Sequence, residues 1–160
     1  MGYVCLEGVF KPKFLKKWLN QKPIRFLSNY ERQAFKFLEK HPAIISLGSE
    51  TVIIPYRCPF DKNKVRKYMV DLELHFSDGK KILVEIKPDK QGVDRKDPRK
   101  RKNIPTDMNS KKGISYLNAI RTYDINSAKW DSAKDFCKKC GYDDFQIWGE
   151  KAFSKIGIVL

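Results

Sequence analysis

Lys67-Tyr68-Met69-Val70-Asp71-Leu72-Glu73-Leu74-His75-Phe76, then Ser77-Asp78-Gly79, then Lys80-Lys81-Ile82-Leu83-Val84-Glu85-Ile86-Lys87-Pro88: this stretch decides the fold. Val70, Leu72, Leu74 and Phe76 alternate with polar residues in the first run, as do Ile82, Val84 and Ile86 in the second. A period of two marks half-buried strands, and Pro88, which has no N–H to give a ladder, stops the second. The turn fixes the register. With Ser77-Asp78-Gly79 as a three-residue loop and Gly79 left-handed, Phe76 pairs with Lys80, Asp71 falls opposite Glu85, and Met69 falls opposite Lys87. Directly opposed residues share a face, so Asp71, Glu85 and Lys87 converge on one side and the aliphatic set packs on the other. A two-residue turn at Asp78-Gly79 would place Asp71 and Glu85 on opposite faces.

Two carboxylates at hydrogen-bond spacing with a lysine beside them make a candidate site for a hard divalent cation. Mg²⁺ takes oxygen ligands, commonly one or two carboxylates plus water and substrate phosphate. Lys87 would orient or deprotonate an attacking water, or stabilise charge on a phosphate. The same residues also read as the solvated, mixed-charge edge of a hairpin, paired only at the surface.

Outward from the hairpin, Ser28 or Asn29 caps an expected helix to about residue 40, with Ala34, Phe35 and Leu38 inward and Glu31 in its first turn, where an acid offsets the helix dipole. Residues 44–57 read as a strand interrupted at Gly48-Ser49. Glu50, at the interruption, is either an acid hydrogen-bonded to the site or a strand-end charge. Residues 88–112 carry Pro88, Pro98 and Pro105 with Lys90, Arg95, Lys96, Arg99, Lys100, Arg101, Lys102, Lys111 and Lys112. A flexible basic loop this long, starting one residue after Lys87, is placed to hold DNA across the site, or is a solvated run of charge. Asn109 or Ser110 then caps a helix with Ile114, Leu117 and Ile120 at helical spacing. Asn126 begins a shorter one with Trp130, Ala133 and Cys137 inward, stopped by Gly141. Residues 144–148 form a last strand, followed by a helical turn near Ala152.

The 160 residues suit one domain, and 33 Lys and Arg against 19 acids give a formal charge of +14. That excess points to a polyanion, nucleic acid above all. No apolar run approaches the roughly 20 residues of a spanning helix, so a membrane partner is not expected. Cys5, Cys58, Cys137 and Cys140 do not read as a disulfide framework. The lone Cys137-Lys138-Lys139-Cys140 is half of a zinc pattern at most, and reduced, partly buried thiols are the expectation. Residues 1–27 interleave Phe10, Phe14 and Trp18 with lysines: a basic arm ahead of a domain at 28–160, or a helix whose aromatics cover the core.

Asp71 followed by Glu85-Ile86-Lys87 on adjoining strands, after a helix bearing Glu31, resembles the PD-(D/E)xK nuclease superfamily. Ser28-Asn29-Tyr30-Glu31, Gly48-Ser49-Glu50-Thr51, Ile54-Pro55-Tyr56, Glu85-Ile86-Lys87-Pro88, Lys129-Trp130 and the stretch from Cys140-Gly141 to Trp148 are similar to the head completion nucleases of T-even-type bacteriophages, themselves related to TnsA-type transposon-end endonucleases. The likeness runs from about Phe10 to the C-terminus. It departs from the superfamily where Val70 replaces the usual proline before Asp71. It implies an α/β (α+β) single domain with a restriction-endonuclease-like α-β-β-β-α-β core, a mixed central sheet flanked by helices. It implies hydrolysis of DNA with Mg²⁺ or Mn²⁺ held by Asp71, Glu85 and the Ile86 carbonyl, Glu31 as a further ligand directly or through water, and Lys87 placing the nucleophile. The implied setting is double-stranded DNA at a phage portal after packaging, with portal or neck proteins as partners, in the host cytoplasm and then in the virion. The rivals are a transposase-type or repair nuclease of the same fold, and a DNA-binding portal plug that cuts nothing.

Overall fold

The computed structural model describes residues 7–158; Cys5 and the start of the basic N-terminal segment lie outside them. The elements are β1 (Gly8–Phe10), β2 (Ile24–Phe26), α1 (Asn29–Leu38), β3 (Ile44–Ser49), β4 (Ile53–Arg57), β5 (Val65–Met69), β6 (Leu72–Phe76), β7 (Lys81–Ile86), α2 (Lys111–Cys140), β8 (Asp144–Trp148) and α3 (Glu150–Ile156). The central sheet runs β3-β6-β7-β8, antiparallel except for the parallel β7–β8 pair. With α1 before it and α2 in the β7–β8 crossover, this is the expected α-β-β-β-α-β core, a mixed sheet with helices on both faces. Among the described residues no helix is long and apolar enough to cross a membrane.

The hairpin register is the three-residue one. Gly79 takes φ +89°, a conformation that costs other residues more. The Phe76 N–H donates to the Lys80 carbonyl at 2.8 Å, and Leu72 pairs with Val84. The hairpin is no edge, because β6 and β7 are the two interior strands of the sheet. One face carries Leu72, Leu74, Ile82, Val84 and Ile86 against α1, α3 and the N-terminal segment. The other carries Leu83 and Phe145 against α2, through Trp130, Ala133 and Cys137. Fully burying an aliphatic side chain of this size contributes about 1.5–3 kcal/mol.

Three expectations are corrected. The first run is not one strand: it breaks at Val70-Asp71, and β5 turns away to form a separate hairpin with β4. Met69 therefore pairs with Ile53 rather than Lys87, and Val70 joins the α2-side cluster instead of the face of Leu72. The two helices expected after residue 109 are one 30-residue helix, capped by Ser110, whose hydroxyl accepts from the Gly113 N–H, and ended by Gly141 at φ +76°. Asp124 to Asn126 contains no glycine or proline to break it. The sheet is covered by its second half, while Ile114 and Leu117 in the first half are exposed. Finally, the segment expected as an N-terminal arm is folded in from Gly8, with Phe10, Trp18, Ile24 and Phe26 in the core around Phe35. Phe14 stays outside, since only a single 3-10 turn, Leu15–Lys17, forms there.

Candidate active site

The site lies where β6 begins and β7 ends. Asp71 occupies the bend between β5 and β6, one step beyond the Leu72–Val84 pair, and its Oδ2 accepts the Ile86 N–H at 2.7 Å. Glu85 is buried on β7. Its Oε1 lies 3.2 Å from the Lys87 ammonium, and its Oε2 accepts the Tyr68 hydroxyl at 2.6 Å. The chain is pinned around this point, with the Val70 N–H on the Val52 carbonyl and the Glu50 N–H on the Asp71 carbonyl. Glu50 itself is left-handed at φ +54°, a conformation that costs a non-glycine residue about 1–3 kcal/mol and collects at functional sites.

Electrostatics separates the roles. Burial first, and the Glu85 carboxylate second, push the Asp71 carboxyl well above the usual aspartate range, while the Lys87 ammonium and the Ile86 N–H act against the rise. Burial pulls Lys87 down, but Glu85, Asp71 and Glu31 outweigh it and hold the ammonium above its ordinary value. Lys87 is therefore charged at neutral pH, which suits orienting water or stabilising phosphate charge rather than taking a proton. Burial is also the largest cause of the upward shift at Glu31. Glu31 spends both oxygens on its own helix: Oε2 accepts the Leu27 N–H at 2.8 Å and Oε1 the Ser28 hydroxyl at 3.1 Å, a variant of the capping box. It reaches Lys87 and Asp71 through the field, not by contact. Glu50 is exposed, and its charge is felt at Glu31. Among the described residues no three His, Cys, Asp or Glu side chains gather as a preformed cage. The donor set present nonetheless fits a hard cation: two neighbouring acids whose crowding a positive charge would relieve, with the Ile86 backbone alongside.

Tyr68 was not singled out from the sequence. It is buried, and its hydroxyl is brought to Glu85 only because the β4–β5 hairpin folds over the α2 side of the sheet. Parity with Val70 was the available signal. The Lys129 ammonium lies 5.3 Å from its ring centre.

The basic loop divides. Arg95 stacks on Trp130 at 4.1 Å and Tyr123 at 4.4 Å and donates to the Tyr123 carbonyl and the Ser127 hydroxyl. Arg99 is paired with Asp97 and, through two hydrogen bonds, with Asp124. These two, expected to meet DNA, are spent on holding the loop. Lys90, Lys96, Lys100, Arg101, Lys102, Lys111 and Lys112 are exposed. Cys137 is buried, its thiol pushed up to about 11 chiefly by burial, while Cys140 is exposed at the helix end.

The model of the TnsA-like endonuclease N-terminal domain matches residues 41–148, a span that holds the whole central sheet with Asp71, Glu85 and Lys87 and leaves out Glu31. The head completion nuclease of Enterobacteria phage T4 is 33% identical over 155 residues, which is 96% of this chain and 97% of that protein. Fold, motif spacing and sequence likeness agree: along nearly its whole length the chain is related to a phage head completion nuclease, and it belongs to the TnsA-like endonuclease family.

Proposed function

We propose that this protein is a divalent-cation-dependent DNA endonuclease that hydrolyses phosphodiester bonds during phage head completion, acting on double-stranded DNA at the portal. The observation that carries the reading is the Asp71–Glu85–Lys87 constellation: a carboxyl driven upward by burial first and by a neighbouring carboxylate second, with one lysine ammonium beside them. A protein that needed these groups only for stability would have satisfied Asp71 instead of crowding it.

Asp71 and Glu85 would hold Mg²⁺ or Mn²⁺, with the Ile86 carbonyl as a third oxygen. When bound, the ion supplies Lewis-acid polarisation of the phosphate and lowers the pKa of a water. Lys87 holds the attacking water in line and meets the charge that grows on the phosphate oxygens. Tyr68 fixes the Glu85 carboxylate. Glu31, tied into the α1 cap, would act on the site through its charge. Lys90, Lys96, Lys100, Arg101, Lys102, Lys111 and Lys112 supply the sequence-indifferent attraction for the duplex. The head-completion setting is carried over from the T4 relative's name, and with it portal or neck proteins as partners, in the host cytoplasm during assembly and afterwards in the virion.

Purified protein incubated with plasmid in Mg²⁺, in Mn²⁺ and in EDTA tests the reading. Cutting with either ion and none in EDTA is expected. Cutting that persists in EDTA removes the cation. DNA binding with no cutting in any ion identifies the protein as a plug.

A further inference from the structure

Residues 88–112 are a folded wall and not a loose loop. At its start the buried Asp89 takes the Lys151 N–H on its carboxylate and gives its own N–H to Glu150. Further on, Arg95 and Arg99 rivet the segment to the middle of α2, at Tyr123, Asp124 and Ser127. Between these fixings loop and helix stand apart and enclose a groove of about 380 Å³. Lys90, Lys96 and Arg101 line the loop side, and Ser115, Asn118 and Thr122 line the helix side. The helix residues recur at three- and four-residue spacing, which puts them on one face. All six are exposed, and none of their side chains has a hydrogen-bond or ion-pair partner among the described residues.

We propose that this groove binds the sugar–phosphate backbone of one DNA strand, its loop wall meeting phosphate charge and its α2 wall donating neutral hydrogen bonds to phosphate oxygens. Four basic residues line the groove with no acid among them, and three of these, Lys90, Lys96 and Arg101, are not engaged as Arg95 is, which selects a polyanion. The volume suits a nucleotide-sized segment and not a whole duplex. A stacked base is disfavoured, because the Tyr123 ring in the lining is already covered by Arg95. The fixings at Asp89, Arg95 and Arg99 mean that the groove is formed before DNA arrives, which lowers the cost of ordering the loop on binding. The inference rests on the nuclease reading and adds the path of one strand, with α2 as half of the site.

The strand can come from a duplex or from unpaired DNA, and fluorescence anisotropy in EDTA on a single-stranded oligonucleotide and a blunt duplex of the same sequence distinguishes them. Asn118→Ala/Thr122→Ala keeps a good helix former at each exposed position, so a thermal melt should match the parent. Loss of two hydrogen bonds to charged oxygens should weaken binding about tenfold. Because the lost donors are neutral, the slope of log affinity against log salt should not change. Lys96→Ala and Arg101→Ala should each reduce that slope by about 0.9. Weakening on the duplex alone, on the single strand alone, or on both supports the groove and names the strand's source. Unchanged affinity on both overturns it. A parent that cuts DNA while the double variant binds normally sinks the groove alone, whereas a parent that neither binds nor cuts sinks the nuclease reading too.

Discussion

Asp71 and Glu73 stand two residues apart, on the α2 side of the sheet, and the protein treats them oppositely. Glu73 is buried, which by itself would push its carboxyl up, but the hydroxyls of Tyr142 and Thr51, at 2.7 and 2.8 Å, and the His75 ring at 2.8 Å outweigh that and hold it below the usual range. Asp71 has one backbone N–H and a carboxylate neighbour, and it is held well above. A satisfied acid and a crowded acid share the same few ångströms of strand. Satisfaction marks the group that holds the fold, and crowding marks the group that waits for a cation.

Substituting Asp71 should have the largest effect. Asp71→Asn or Glu85→Gln should lower metal-dependent cleavage by several orders of magnitude while DNA binding survives, and in EDTA at neutral pH the Asp71→Asn melt should not fall below the parent's. Full cutting by both variants would place the activity elsewhere. Lys87→Ala should also abolish cutting but leave Mn²⁺ binding, followed by electron paramagnetic resonance, largely in place. Tyr68→Phe comes next. Removing the hydrogen bond that orients Glu85 should weaken Mn²⁺ about tenfold or more without unfolding the protein, since the ring remains; unchanged affinity would make Tyr68 a packing residue only.

Glu73→Gln reverses the pattern and has the smallest expected effect on cleavage. It should leave cleavage near the parent's and cost about 1–3 kcal/mol of stability at neutral pH, because hydrogen bonds to a charged group are lost. Since Glu73 is depressed in the folded state, its contribution is present above the ordinary glutamate value of 4.5 and fades as pH falls through the lower folded value. The deficit measured by urea unfolding should therefore shrink in acid. Asp71 has the opposite sign: in metal-free protein its contribution is present at low pH and lost as pH rises from the ordinary aspartate range through its raised value. Equal pH dependence in the two variants would erase the distinction.

Much of this was legible in the chain. Gly79 set the hairpin register, and through it the meeting of Asp71 with Glu85, because a left-handed turn residue is a local requirement written in one position. Ser28 and Gly141 marked helix ends for the same reason. What escaped depended on distant partners. Val70 fits the alternation perfectly, so the break before Asp71 shows only once β5 has paired with β4. Asn126 looked like a cap because capping residues are also tolerated inside a helix. Three-residue strands such as β1 and β2 are too short to show a period. A basic run does not say which arginines are spent, and Arg99 finds Asp124 25 residues away.

α2 is continuous, about 45 Å long at 1.5 Å per residue, yet it is anchored unevenly. Trp130, Ala133 and Cys137 tie the second half to the sheet, whereas the first half buries little beyond Gly113 and Tyr116, and the arginine rivets reach it only at its end, at Tyr123 and Asp124. One helix is thus two cooperative units. Amide hydrogen exchange should proceed faster in residues 111–123 than in 128–140, through local opening that leaves the sheet intact. A strand lying in the groove would slow exchange in the first half alone, so the helix itself would record whether DNA is held.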